Sequence, residues 1–296
     1  MGFPGQGSLS VGMLGPWCDV PAAVDLFDRA SVILGYDLAE VCRSGPAARL
    51  DATAVSQPAI LVTSLAALEV LRHRPAGVPA DIRVVAGLSL GEYTALVFAG
   101  AIGFDDAVRL VDARGRAMQE CANAAPGGMV AVLGLDRERI AALCVASRGD
   151  DVLEVANVLC PGNVVVSGDR GACERLAEAA TAAGAMKCVR LEVAGAFHTR
   201  LMAPARARLT AALEAADIRP PHVPVISNVD ARPHVDPGEI RDLLARQLVG
   251  VVEWQASMEF LLAAGVRSMV EVGPGRVLRG LMKRIDRTVK VAGVYD

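Results

Sequence analysis

Residues 84–96 contain the groups with the clearest chemical use. In Gly87-Leu88-Ser89-Leu90-Gly91 a serine hydroxyl stands between glycines at i−2 and i+2. A short, partly β-branched apolar run ends at Gly87, and Leu90, Tyr93, Leu96 and Val97 then recur at helical spacing, with Glu92 near the positive helix end. The pattern predicts a strand, a tight turn with Ser89 at its apex, and a helix. In such a strained elbow a Cβ at either glycine would meet neighbouring backbone, and the hydroxyl is held outward. The N–H of Leu90 can donate to an oxyanion, so one turn offers a nucleophile and half of its electrostatic stabilisation. A glycine-rich turn in an ordinary α/β domain shares this pattern, so the elbow needs partners elsewhere in the chain.

A serine nucleophile needs a base, and the chain has four histidines, at 73, 198, 222 and 234. His73 and His234 lie in Arg- or Pro-flanked loops and His222 precedes a Val-Pro strand start, which suits solvated or structural roles. His198 instead follows the apolar turn Ala194-Gly195-Ala196-Phe197, where loops at strand ends place catalytic groups. As a base it would take the Ser89 proton during attack and return it to a leaving thiol. Arg114 interrupts an otherwise amphipathic helix at 104–121, a position at which arginine is commonly a solvated charge. No metal-ligand set, phosphate loop or complete dinucleotide fingerprint is present; Gly5-Gln6-Gly7 lacks a third glycine and a preceding strand.

These groups have to be carried by elements far apart in the chain. Helices are expected at 22–34, at 57–72 with Pro58 opening the first turn, at 104–121, at 237–248 and from Trp254 to 264. A helix is also expected from the His198 turn to about 216, a strand at 266–272, and a final basic helix to 287. Between 129 and 191 the order becomes strand (129–133), helix (137–147), strand (153–157), strand (163–168), helix (170–184), strand (186–191), which matches a split βαβ, ferredoxin-like unit. Small-residue linkers at 123–128 and 193–196 mark its edges. The expected fold is therefore α/β: an α/β-hydrolase-like core with a mostly parallel sheet, formed by residues 1–125 and 194–296, carrying an inserted ferredoxin-like subdomain at 126–193.

Composition narrows the function classes. With 296 residues, 53% of them hydrophobic, the chain buries a large core. Thirty basic against 33 acidic residues give a net charge of −3, so no global field draws it to nucleic acid or to a membrane surface. Seven cysteines (18, 42, 121, 144, 160, 173, 188) form no Cys-x-x-Cys pair and read as reduced, buried residues of a cytoplasmic protein. No basic n-region or uninterrupted apolar span argues for export or for membrane insertion.

Six motifs then stand in order: Phe3-Pro4-Gly5-Gln6-Gly7-Ser8, Gln57-Pro58-Ala59, Gly87 to Tyr93, Arg114-Gly115-Arg116-Ala117-Met118-Gln119, Gly195-Ala196-Phe197-His198-Thr199 and Glu271-Val272-Gly273-Pro274-Gly275. Over essentially its whole length the chain resembles malonyl-CoA:acyl-carrier-protein transacylases and the related acyltransferase domains of polyketide synthases. The resemblance implies that Ser89 is the nucleophile, His198 its base, and the backbone N–H groups of Gln6 and Leu90 the oxyanion hole. It makes Arg114 the bidentate partner of a malonyl carboxylate, with Gln57 nearby. Phe197 is expected to crowd an α-methyl group and favour malonyl over methylmalonyl. It further implies that a main-chain carbonyl in the segment 247–254, assigned to Gly250, orients the histidine. The implied partners are malonyl-CoA and an acyl carrier protein in fatty-acid synthesis, with no bound cofactor, and the chain is expected to be a monomer. Arg200, Arg206, Arg208, Arg279, Lys283, Arg284 and Arg287 are candidate docking cations for an acidic carrier.

Three departures bear on these expectations. Leu88 replaces the histidine common before the serine, and Leu9 stands where glutamine is frequent. Only Met1 and Gly2 precede Phe3, where the resemblance leads us to expect a whole strand, so the neighbouring strand edge is expected to be exposed and the Gln6 turn loosened. Competing readings are a serine hydrolase, which has no need of Arg114, a non-catalytic carrier-binding module, and a stand-alone polyketide acyltransferase using another acyl group.

Overall fold

The computed structural model describes residues 1–14, 19–75 and 77–294. The reading of Cys18 lies outside them; the other six cysteines are free thiols, five of them buried.

The first half of the chain runs β1 (Gly2–Phe3), α1 (Pro21–Leu34), α2 (Leu38–Ser44), α3 (Ala47–Asp51), α4 (Thr53–His73), β2 (Val85–Gly87), α5 (Gly91–Phe98) and α6 (Phe104–Ala124). It continues with β3 (Gly127–Leu133), α7 (Arg137–Arg148), β4 (Leu153–Cys160), β5 (Asn163–Asp169), α8 (Arg170–Ala182) and β6 (Lys187–Arg190). A 3-10 turn (Arg200–Met202) leads into α9 (Ala203–Ala215), β7 (Val225–Ile226), β8 (Pro233–His234), α10 (Pro237–Gln247), α11 (Trp254–Ala263), β9 (Ser268–Glu271), α12 (Val277–Ile285) and β10 (Lys290–Gly293).

The strands form two sheets. One has the order β10-β9-β1-β2-β7-β8, parallel except for the β7–β8 pair; the other has the order β4-β5-β3-β6 and is antiparallel throughout. The molecule is thus an α/β protein with mixed sheets. A bridge from Asn157 of β4 to Val252 links the second sheet to the loop before α11. This junction brings residues of both halves against one cavity.

Two expectations require correction. β1 is only two residues long, yet it pairs with β2 on one side and β9 on the other, so it lies inside the sheet and leaves no edge exposed. Pro58 does not open its helix. α4 begins at Thr53, whose N–H donates to Gln119 Oε1 at 3.0 Å, so a long-range cap from α6 starts the helix four residues before the expected 57. Gly115 permits this packing of α6 on α4, since a Cβ there would sit 2.8 Å from Thr53 O. By length and composition α4 is the one helix among the described residues able to span a membrane, but 78% of its apolar window is buried inside the protein. It serves as the central core helix.

Candidate active site

The elbow is formed as its glycines require. A Cβ on Gly87 would lie 1.9 Å from the Gly91 carbonyl carbon, and one on Gly91 would lie 2.2 Å from Phe3 O. Ser89 at the apex has φ +49°, the left-handed region that non-glycine residues enter at a cost of about 1–3 kcal/mol. Asn228, in the turn after β7, holds it there: its Oδ1 accepts from Ser89 N–H at 2.6 Å and its Nδ2 donates to Gly87 O at 2.7 Å. The N-terminal loop lies against the same turn, because a Cβ on Gly5 would approach Leu88 O to 2.3 Å. That contact puts Gln6 and Leu90 on the wall of one cavity. Among the described residues, neither backbone N–H of this pair donates to a protein acceptor, which leaves both for an oxyanion.

His198 reaches the serine from the loop between β6 and the 3-10 turn. Its Nε2 is 2.9 Å from Ser89 Oγ, and its Nδ1 is 2.8 Å from the main-chain oxygen of Gln247. The carbonyl that faces the imidazole is therefore Gln247's and not Gly250's. The reason is helical: α10 ends at Gln247, and the last carbonyls of a helix have no intrahelical N–H to meet. A carbonyl only accepts, so Nδ1 carries the proton and Nε2 is left to accept from the serine hydroxyl. Burial, then the charge of Arg114, push the imidazole's pKa down to about 4, against the Gln247 bond, so at pH 7 it is neutral and its Nε2 is free to accept a proton. Like Ser89, His198 has a positive φ, +61°.

Arg114 is buried at 1% exposure, and its expected solvated alternative is excluded. Its Nη1 donates to Gln57 Oε1 at 2.7 Å, and its Nη2 to Ser89 Oγ at 3.2 Å and to Gln247 Oε1 at 3.1 Å. Its Nε has no hydrogen-bond partner among the described residues, and the guanidinium carbon lies 5.6 Å over the Tyr93 ring. All the hydrogen-bond acceptors are neutral, and burial draws its pKa below the ordinary arginine value. A buried cation with neutral acceptors is poised for an anion.

The cavity has a volume of about 380 Å³. Ser89, His198, Arg114, Gln57, Gln6, Leu90 and Phe197 all line it, so the sequence-predicted groups come together, with Gly250 the exception. Gly250 lies in a separate cleft behind His198. Leu88, Met118, Met129, Val165 and Leu191 form an apolar stretch of the wall, while Asp51, Asn157 and Glu192 also line the cavity.

Sequence reasoning missed three buried residues. Gln247 donates through Nε2 to Ser89 O (3.0 Å) and to Glu92 Oε2 (2.8 Å), besides its contacts with His198 and Arg114. Glu92 also accepts from Asn228 N–H at 3.0 Å, and burial pushes its carboxyl up to about 7 against these two donors. Asn228 is the third. The only signal available was that polar residues, Glu92 apart, interrupt apolar runs at element ends.

A hydroxyl hydrogen-bonded to a neutral imidazole, two free N–H donors beside it and a buried guanidinium in one apolar cavity are the parts of covalent acyl transfer to and from a serine. An α/β protein with such a site is, by class, a serine acyltransferase or its hydrolytic cousin. Comparison with known proteins separates these. Residues 3–294 match the family model for the acyl transferase domain. The malonyl CoA-acyl carrier protein transacylase of Salmonella typhimurium is 44% identical over 295 residues, spanning 99% of this chain and 94% of its own. The solved malonyl CoA-acyl carrier protein transacylase of Coxiella burnetii aligns with a TM-score of 0.95 at 36% identity, covering 99% of this chain and 92% of that one. A structure of a type II PKS acyl-carrier protein in complex with its malonyl-transacylase gives a TM-score of 0.94 at 40% identity, covering 100% and 95%. The chain belongs to the acyl transferase domain family.

Proposed function

We propose that the protein transfers a malonyl group from malonyl-CoA to the phosphopantetheine thiol of an acyl carrier protein, through an ester on Ser89. In the first step Ser89 Oγ bonds to the thioester carbonyl carbon while His198 Nε2 takes its proton. The tetrahedral oxyanion rests on the N–H groups of Gln6 and Leu90. The C–S bond then breaks and the proton passes to the departing CoA sulfur. In the second step the carrier thiol gives its proton to His198 and its sulfur bonds to the ester carbonyl carbon; the C–Oγ bond to Ser89 then breaks and His198 Nε2 returns the proton to Ser89 Oγ. Bonds and protons balance with the chain's own residues, so the reaction calls for no resident cofactor.

Arg114 receives the malonyl carboxylate in its planar fork, and Gln57 holds one arm of that fork. Phe197 narrows the wall where an α-methyl group would lie. The Gln247 carbonyl keeps His198 in the tautomer that accepts from serine. The observation that carries this reading is the meeting, in one largely apolar cavity, of Ser89 Oγ with His198 Nε2 at 2.9 Å and Arg114 Nη2 at 3.2 Å. A hydrolase has no use for the buried cation.

Within this reading residues 1–125 and 194–296 form an α/β-hydrolase-like core and 126–193 a ferredoxin-like subdomain. The separate sheets and the order β4-β5-β3-β6 support that division. The free cysteines suit a cytoplasmic setting, and we take the working unit to be a monomer. We take fatty-acid synthesis as the pathway, with polyketide synthesis as the alternative, since a structural neighbour at 40% identity is a malonyl-transacylase in complex with its type II PKS acyl-carrier protein. Intact mass spectrometry after brief exposure to malonyl-CoA tests the proposal: Ser89 is expected to gain one malonyl group, to lose it on adding carrier protein, and Ser89→Ala to gain none. Loss of the malonyl group at equal rates with and without carrier would overturn it in favour of hydrolysis.

A further inference from the structure

Glu92 is the second residue of α5, is 3% exposed, and stands outside the residues that line the cavity. Its Oε2 gathers the Asn228 N–H at 3.0 Å and the Gln247 Nε2 at 2.8 Å. Gln247, at 0% exposure, is in turn the one residue among those described that hydrogen-bonds to serine backbone, imidazole and guanidinium together. The two ends of an amide have nearly the same shape, so its neighbours alone decide which end points where. Here the two acceptors, Glu92 Oε2 and Ser89 O, lie at one end, and the guanidinium of Arg114, which only donates, lies at the other.

We infer that Glu92 is a positioning residue for acyl transfer: acting through the side chain of Gln247, it fixes the Arg114 guanidinium in place for the carboxylate of the incoming acyl group. The inference rests on the acyl-transfer reading. Without an acceptor at position 92 the Gln247 amide loses one of the two acceptors that hold its N–H end. Turned over, it would point N–H at a guanidinium that has only N–H to offer, and Arg114 would swing from its place. An acetyl group carries no carboxylate, so the loss falls on malonyl.

The test compares ester formation on Ser89 from malonyl-CoA and from acetyl-CoA, followed by intact mass, in the full chain. Glu92→Leu is expected to lower the malonyl-to-acetyl ratio by at least about tenfold, chiefly through the malonyl KM. Glu92→Gln, which still offers Gln247 an oxygen, is expected to restore the ratio. Gln247→Leu keeps the main-chain carbonyl for His198 and is expected to lower the ratio as Glu92→Leu does. The double variant is expected to be no worse than Gln247→Leu alone, because the two act along one path.

A proportional fall in both loading rates for Glu92→Leu, or effects that multiply in the double variant, would overturn the inference and leave Glu92 a purely structural residue. Should Glu92→Leu fail to fold, an unchanged ratio in Gln247→Leu overturns it as well. Failure of the unaltered protein to load malonyl is a different result: it removes the acyl-transfer reading, and this inference with it.

Discussion

Arg114 and His198 carry opposite electrostatic tasks within one cavity. The guanidinium must stay charged while buried among neutral acceptors, a state that is costly when empty and relieved by a carboxylate. Arg114→Ala is therefore expected to reduce malonyl loading by at least ~100-fold, about 2.7 kcal/mol, and acetyl loading far less, as measured by competition between the two thioesters. Arg114→Lys keeps the charge and loses the fork, so it is expected to recover only part of the preference. The imidazole must instead stay neutral to accept a proton. Burial and the nearby guanidinium favour that form, holding the His198 pKa down to about 4. The acid limb of kcat/KM for malonyl loading is accordingly expected near pH 4 rather than near 6.5, with activity rising as pH rises through it, in a pH-rate profile of the free protein. A limb at 6.5 would mean a solvated histidine.

At the scale of elements, the hairpin of β7 and β8 supplies the asparagine that pins the elbow. Val225 and Ile226 pair with His234 and Pro233, and the turn between them contains Asn228 and the positive-φ residue Ala231. His234 closes this turn, with Nε2 at 3.0 Å from Asp230 and Nδ1 at 2.9 Å from Glu239. Burial alone would lower its pKa, but the bond to Glu239 and the charge of Asp230 outweigh it and the net shift is upward. A raised histidine contributes stability that is fully present below about 6.5 and is lost as pH rises through the folded value. Thermal melts from pH 5 to 9 are expected to show the unaltered protein losing its advantage over His234→Asn with rising pH. Solvent screening limits that advantage to about 1 kcal/mol or less. A difference that grows with pH would reject the hairpin clamp.

For the molecule as a whole, the proposed carrier must find its surface. Two of the candidate docking cations are already committed, since Arg200 pairs with Glu154 at 2.7 Å and Arg208 with Glu120. Lys283, Arg284 and Arg287 are exposed at the end of α12 and just beyond it. With a net charge of only −3, steering has to come from such a local patch. Lys283→Glu combined with Arg287→Glu is expected to raise the KM for carrier protein about tenfold at low salt, to leave malonyl-CoA loading unchanged, and to lose its effect at high ionic strength. Unchanged carrier kinetics at low salt would place docking elsewhere.

Much of this was legible in the chain because it is local. The strand, elbow and helix around Ser89 follow from glycines two residues to either side, and the bounds of α7 and β5 fall within a residue of those read from periodicity. The two-residue β1 and the strand β10 were not legible, because their existence depends on neighbours in the parallel sheet rather than on their own pattern. The same distinction governs the site. Residue type and spacing identified the hydroxyl, the base and the guanidinium, since each is named by its own chemistry. Which carbonyl orients His198 was decided by where α10 stops, and that Asn228, Gln247 and Glu92 support the site was decided by hydrogen bonds spanning more than a hundred residues. Hydrogen bonds between distant loops depend on how two sheets pack, and no short window of sequence contains that geometry.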